Sequence, residues 1–175
     1  MYSWKSHFTV LADYQHWANE VMFNSLDHLQ PDVIGSDQGL YFNSIHHTVD
    51  HLLLVSQVWL GRLQGEAVEA NYRVINQPDF RELKQSLRRE TRKLQSWLDA
   101  QPDAFFESEA EFASSDGKTR RMWVRDVLTH LFTHYAHHRG QVSAVITRLG
   151  GPCPEMDYVY YRREMDRLLS EMQEQ

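Results

Sequence analysis

The chain predicts an all-α fold: a four-helix bundle carrying a short β-ribbon and an extra C-terminal helix. Three observations lead there. Four long segments repeat apolar residues at helical period, with Pro and Gly between them. One weakly alternating stretch, residues 105–121, contains Ser115-Asp116-Gly117, a hairpin signal. A shorter amphipathic segment follows the last long one. At 175 residues, and without internal repeats, the chain reads as one domain, residues 1–175, large enough to bury a core.

The first helix is read over Ser3–Leu29, where Trp4, Phe8, Leu11, Ala18, Met22, Ser25 and Leu29 recur near helical period. Pro31 and Gly35 end it, and Asp37–Asn43 is a loop. Asn43-Ser44 offers the cap of a second helix to Leu63, stopped by Gly65. Its stripe is Ile45, Thr48/Val49, Leu52, Val55/Ser56, Trp59 and Leu63, with His51 in or beside it. Residues 66–77 are irregular. Pro78-Asp79 opens a third helix to Ala100, with a seam of Phe80, Leu83, Leu87, Thr91, Leu94 and Leu98 and a charged face left to solvent. After Gln101-Pro102 and the ribbon, a fourth helix runs Trp123–Leu149 to the stop Gly150-Gly151-Pro152. Pro154-Glu155 opens the last helix, to Met172. The second connection is long enough to cross a bundle: roughly ten extended residues at ~3.3 Å span ~30 Å. The second and third helices can therefore run parallel.

Composition narrows function. A net charge of −6 argues against nucleic-acid binding, which needs a basic face. No apolar run approaches the ~20 residues of a membrane span, and no N-terminal apolar segment resembles a secretion signal. The single cysteine, Cys153, excludes an internal disulfide and fits a reducing cytoplasm.

Ten histidines are many for this length, and they cluster. LTHLFTHYAHHRGQ, residues 128–141, carries His130, His134, His137 and His138. His130/His134 and His134/His138 are i, i+4 pairs, a spacing that lets side chains on adjacent turns close on one ion. Imidazoles on an inward face cost free energy unless bonded or bound. The fourth helix can give two ligands, and mid-helix His51 is the best candidate for a third. His46 and His47, in the first turn of their helix, are expected to be exposed. Three neutral imidazoles with open positions suit Zn or Ni, and admit Fe or Mn; Ca and Mg prefer oxygen. His130 reads as a fourth ligand or a group orienting one, and His137, about 100° round the helix from His138, as facing solvent or a neighbour. Arg139 and Gln141 read as interhelical or dimer contacts, with Gly140 between them allowing close approach. Trp17 and Trp59 read as core, and Tyr14, Tyr158, Tyr160 and Tyr161 as structural. Cys153 lies too far along the chain for a catalytic role.

SIHHTVDHLLLVSQVWLGRL, with a histidine eight residues before a tryptophan, resembles the second helix of the DinB/YfiT-like family of proposed metalloenzymes. HLFTHYAHHRGQVSAVITRLG resembles that family's most distinctive segment, DYQHWAN its first-helix signature, and residues 150–161 its closing segment. The resemblance implies a four-helix bundle with long connections, commonly a homodimer. It also implies a histidine triad, which falls on His51, His134 and His138. Asp50, His46 and His47 crowd that first ligand, and the spacing to Trp59 selects His51 over His47. Some members resemble thiol-dependent transferases or isomerases that bring a low-molecular-weight thiol to a small electrophile. No HExxH glutamate stands between His134 and His138, which favours thiolate activation over hydrolysis. The non-catalytic alternative is a stress-related bundle that only stores or is stabilised by its ion; a closed four-ligand shell would mark it.

Overall fold

The computed structural model describes residues 3–114 and 116–174. Helix α1, Trp4–Leu26, starts at a capping box in which Ser3 and Ser6 satisfy each other's backbone donors. It ends a turn before the expected Leu29. Pro31, expected only to terminate, instead occupies the first turn of a short helix α2, Pro31–Gly35, where its missing N–H costs nothing. Asn43 takes the left-handed conformation (φ 62°) that brings the chain to Ser44, the cap of α3, Ile45–Leu63.

Helix α4, Phe80–Ala100, is capped by Asp79 as expected, and its buried side is Leu83, Leu87, Thr91, Leu94 and Leu98. A 3-10 turn, Asp103–Glu107, precedes the ribbon of β1, Glu109–Ala113, and β2, Thr119–Trp123. The strands pair antiparallel, Glu109 opposite Trp123 and Ala113 opposite Thr119. The turn signal was legible, though Ser115 lies outside the described residues. Helix α5, Val124–Arg148, continues directly from β2. Helix α6 spans Tyr158–Gln173, later than Pro154-Glu155 suggested.

Side-chain contacts fix the helix directions. Arg88 pairs with Glu20 at 2.6 Å and Thr9 with Asp99 at 2.9 Å, so α1 and α4 are antiparallel. Phe8 stacks on Phe132 and Arg139 reaches Tyr14, so α1 and α5 are parallel. Ser56 meets Tyr135 at 2.6 Å and Trp59 meets His130, so α3 and α5 are antiparallel. It follows that α3 and α4 run parallel, as the long connection allowed. Each of α1 and α3 packs on both α4 and α5, leaving α1 and α3 on one diagonal of the bundle and α4 and α5 on the other.

The crossover between α3 and α4, residues 64–79, is tied down by Asp50. Its carboxylate is buried and accepts from the Asn76 and Gln77 backbone N–H groups at 3.0 and 2.8 Å and from the Asn76 amide at 3.0 Å. His46 donates from Nε2 to the Gln77 carbonyl at 2.7 Å. His46 is therefore buried, not exposed: the returning crossover covers the first turn of α3. Gly61 lets the crossover approach, since a Cβ there would stand 2.4 Å from the Val68 side chain. Outside the bundle, α6 lies along α1, where the Trp17 indole donates to Glu164 and Tyr14 to the Met156 carbonyl. Among the described residues no helix is long and apolar enough to cross a membrane.

Candidate metal centre

His51 on α3 and His134 and His138 on α5 converge. The antiparallel course of the two helices brings positions 83 residues apart into contact: His51 Nε2 lies 3.0 Å from His134 Nε2. One candidate ligand nitrogen from each of the three residues lies within 4.8 Å of the others. Two imidazole nitrogens each about 2.0–2.1 Å from one ion sit about 3–3.4 Å apart, depending on coordination angle. The observed pair falls in that range. The donor set is all nitrogen, and the other nitrogen of the His51 ring, Nδ1, is buried without a hydrogen-bond partner. These residues fit a divalent transition metal.

Protonation is set by neighbours. His138 Nδ1 and Gln141 Oε1 are 2.9 Å apart, and the Gln141 amide nitrogen is 3.2 Å from His137 Nε2. Both bonds form only if His138 carries its proton on Nδ1 and donates it to Gln141, which in turn donates to His137. That leaves the His138 Nε2 lone pair free. Burial pushes His51 down to about 3, with repulsion from His138, His134 and His47 adding to it. Burial likewise takes His134 down to about 4, again aided by neighbouring imidazoles. His138 is lowered by burial and partly restored by Gln141. At neutral pH all three rings are uncharged, as ligands must be.

A cleft of about 790 Å³ opens over the cluster. Phe42, from the loop before α3, stacks on His51 with ring centres 4.2 Å apart, and Tyr72 of the crossover meets the same ring edge-on at 5.5 Å. Trp59 and His130 continue the floor, 5.2 Å apart, and His130 stacks on His134 at 5.4 Å. No aspartate or glutamate is among the described residues lining it.

The other candidate residues fall out as follows. His130 lines the cleft but stands outside the three-histidine group. His47 is half-buried at its mouth, and His137 is exposed at the rim. Trp59, expected in the core, is half-buried in the cleft floor. Arg139 turns to the opposite face of α5, buried over the Tyr14 ring. A Cβ at Gly140 would meet nothing within 4 Å, so no close approach requires glycine there. Tyr14, Tyr158, Tyr161 and Trp17 pack α6 against α1, and neither they nor Cys153 lines the cleft. Sequence reasoning missed Phe42 and Tyr72 because both lie in irregular segments, where no period marks an inward face.

A bundle that aims three uncharged imidazoles from two antiparallel helices at one point, beneath an open cleft, has the architecture of a metal-site helical bundle. The chain belongs to the DinB family, whose family model matches residues 2–172. It is similar to Protein DinB of Bacillus subtilis (strain 168), 23% identical over 159 residues that cover 86% of this chain and 91% of the relative.

Proposed function

We propose that this protein is a divalent-metal-dependent enzyme, a thiol transferase or isomerase acting on small electrophiles, with the ion held by His51, His134 and His138. The observation that carries the reading is three neutral imidazoles beneath a cleft that supplies no carboxylate. Zinc or nickel suits that donor set. When bound, the ion supplies the positive charge that lets a thiol lose its proton near neutral pH. Gln141 holds the His138 tautomer, and Phe42 packs on the His51 ring. Phe42, Val55 and Trp59 give the electrophile an apolar floor. Burial raises Tyr72, which therefore stays a neutral hydrogen-bond donor beside His51. Hydrolysis is less well served, because the cleft supplies no acidic side chain as general base. Pure metal storage is less well served too, since His130 stays on Trp59 and leaves the shell open. The test is elemental analysis of untagged protein, then transfer of a low-molecular-weight thiol to an aryl halide with and without chelator. Stoichiometric metal and chelator-sensitive transfer are expected. Absence of bound metal, or transfer indifferent to chelation, overturns the reading.

We further propose that the protein forms a homodimer through α6. That helix buries only Tyr161 against its own chain and leaves Val159, Leu169 and Met172 exposed, Met172 by 74%.

A further inference from the structure

The cleft that covers the three histidines carries two arginines and no acidic side chain in its described lining, in a chain whose net charge is −6. Its lining includes Arg62 and Arg73. Neither guanidinium has a hydrogen bond or ion pair with a carboxylate among the described residues. Other arginines of the protein do: Arg88 is held by Glu20, Arg121 by Glu111, Arg120 by Asp116, Arg162 by Asp166 and Arg167 by Glu171. Glu66 and Glu111 line the neighbouring pocket together with Arg62, yet Glu111 is held by Arg121 at 3.0 Å and Glu66 makes no ion pair with Arg62.

Arg62 is also placed. Its guanidinium carbon lies 4.6 Å from the centre of the Trp59 ring and 5.1 Å from that of Phe112, and those two rings meet edge-on at 5.3 Å, so the guanidinium packs into the corner they form. Aromatic contact of this kind orients a guanidinium while leaving its N–H groups to bind an oxyanion bidentately. Trp59 is also the residue that meets His130, which stacks on His134. A continuous run of rings therefore joins the three-histidine cluster to Arg62. Trp59 follows His51 by eight residues, about 12 Å of helix. Arg73 stands on the crossover wall beside Tyr72, whose ring touches His51. With no acidic group in the lining, two unpaired cations concentrate small anions in the cleft.

We propose that Arg62, assisted by Arg73, forms an oxyanion subsite, and that the substrate carries a carboxylate or phosphate group about 10–15 Å from its reacting atom. The proposal rests on the reading above only in placing the reacting atom at the three histidines. The subsite itself needs no ion. The rim charge steers the anion in, the Arg62 fork seats it, and the remainder of the molecule lies along Trp59 and His130 toward the cluster.

The test is calorimetric titration of succinate, glycerol phosphate and neutral succinamide into the wild-type protein, both as purified and after chelation. The same titrations are made on Arg62→Gln, Arg73→Gln and Arg81→Gln, the last an exposed arginine outside the cleft. The anions are expected to bind, and succinamide not to. Arg62→Gln should weaken the better anion about tenfold or more and Arg73→Gln less, while Arg81→Gln matches wild type. Preference for succinate or for glycerol phosphate identifies the oxyanion. Anions that bind no better than succinamide overturn the proposal, as do Arg62→Gln and Arg73→Gln proteins that both bind like wild type. Arg73 lies in an exposed segment, so its variant reports even where Arg62→Gln lowers the yield of folded protein. Arginine-dependent binding that survives chelation, in a protein found to hold no metal, keeps the subsite and removes the metal reading. Bound metal with anion binding indifferent to both arginines does the reverse.

Discussion

Replacing His51 with alanine and stripping the ion with a chelator should be one perturbation reached by two routes. His51 is the sole member of the cluster on α3, so without it the ion loses its link between α3 and α5. A ligand that binds only the native state stabilises it by RT ln(1 + [L]/Kd), about 4 kcal/mol at a thousandfold excess over Kd. For a chain of this length, about 2–4 °C of melting temperature goes with each kcal/mol, so chelation should lower the wild-type midpoint by about 8–16 °C. His51→Ala should melt near the chelated wild type and show almost no further fall. Two effects in the metal-free variant oppose each other: ring contacts with Phe42 and Tyr72 are lost, and the unpartnered buried Nδ1 disappears. Their difference should stay within about 2 kcal/mol. Differential scanning calorimetry on metal-loaded and chelated samples reads both numbers. His47→Ala, which alters the cleft mouth and not the cluster, should keep the full chelator shift. The assignment fails if His51→Ala retains that shift and His47→Ala loses it.

Gln141→Ala should cost about 10–100-fold in metal affinity with little change in metal-free stability, because it removes the acceptor that holds the His138 proton on Nδ1; unchanged affinity in a competition titration would show that the tautomer needs no such support. Unfolded imidazoles titrate near about 6.5, whereas folded His51 and His134 do so at about 3 and about 4. Between those values the unfolded chain binds more protons. Metal-free stability should therefore fall as pH drops from about 6.5 toward 4, and a urea-midpoint profile no steeper than that of a His51→Ala/His134→Ala double variant would contradict this. Asp50→Ala leaves the Asn76 and Gln77 N–H groups without their acceptor, which should cost about 1–3 kcal/mol and expose residues 64–79 to limited proteolysis; wild-type cleavage kinetics would show that the crossover is held by something else. Sedimentation should give a dimer at micromolar concentration that Leu169→Asp dissociates, and a wild-type monomer would remove the proposed α6 interface.

The long helices and their caps were legible because apolar period and Ser, Asp or Pro at helix starts are local signals. Asp79 and Ser44 cap where the sequence placed them. The length of the link left a parallel course of α3 and α4 open, and the side-chain contacts of the bundle select it. On α5, the i, i+4 spacing placed His134 and His138 on one face, and the family's motif, not the spacing, separated that pair from His130. Errors came where tertiary contact overrides local pattern. His46 looks like a first-turn surface residue until the crossover folds back and offers it the Gln77 carbonyl. Asp50 looked like crowding beside a ligand, yet it points away from the cluster and anchors that same crossover. Tyr72 and Phe42 reach His51 from segments with no periodicity, and nothing local to helix α3 announces that Phe112 of the ribbon packs on Arg62.

The diagonal placement of α1 against α3, and of α4 against α5, bears on how the chain reaches this state. The connections 27–44 and 101–123 join helices that do not pack along each other, and 64–79 joins two parallel ones, so the bundle contains no antiparallel hairpin of consecutive long helices. A growing chain that has made only α1 and α3 has no partner for either apolar stripe. Both stripes wait for α4 and then α5, which are made last. Such a bundle has more long-range contacts than an up-and-down one, and should fold more slowly for its size. Fragments containing α1 to α3, or α4 to α5, should not be helical on their own. The histidine cluster, with members on α3 and α5, comes into being only when the final long helix docks, so an ion cannot be captured by a half-made chain at this site.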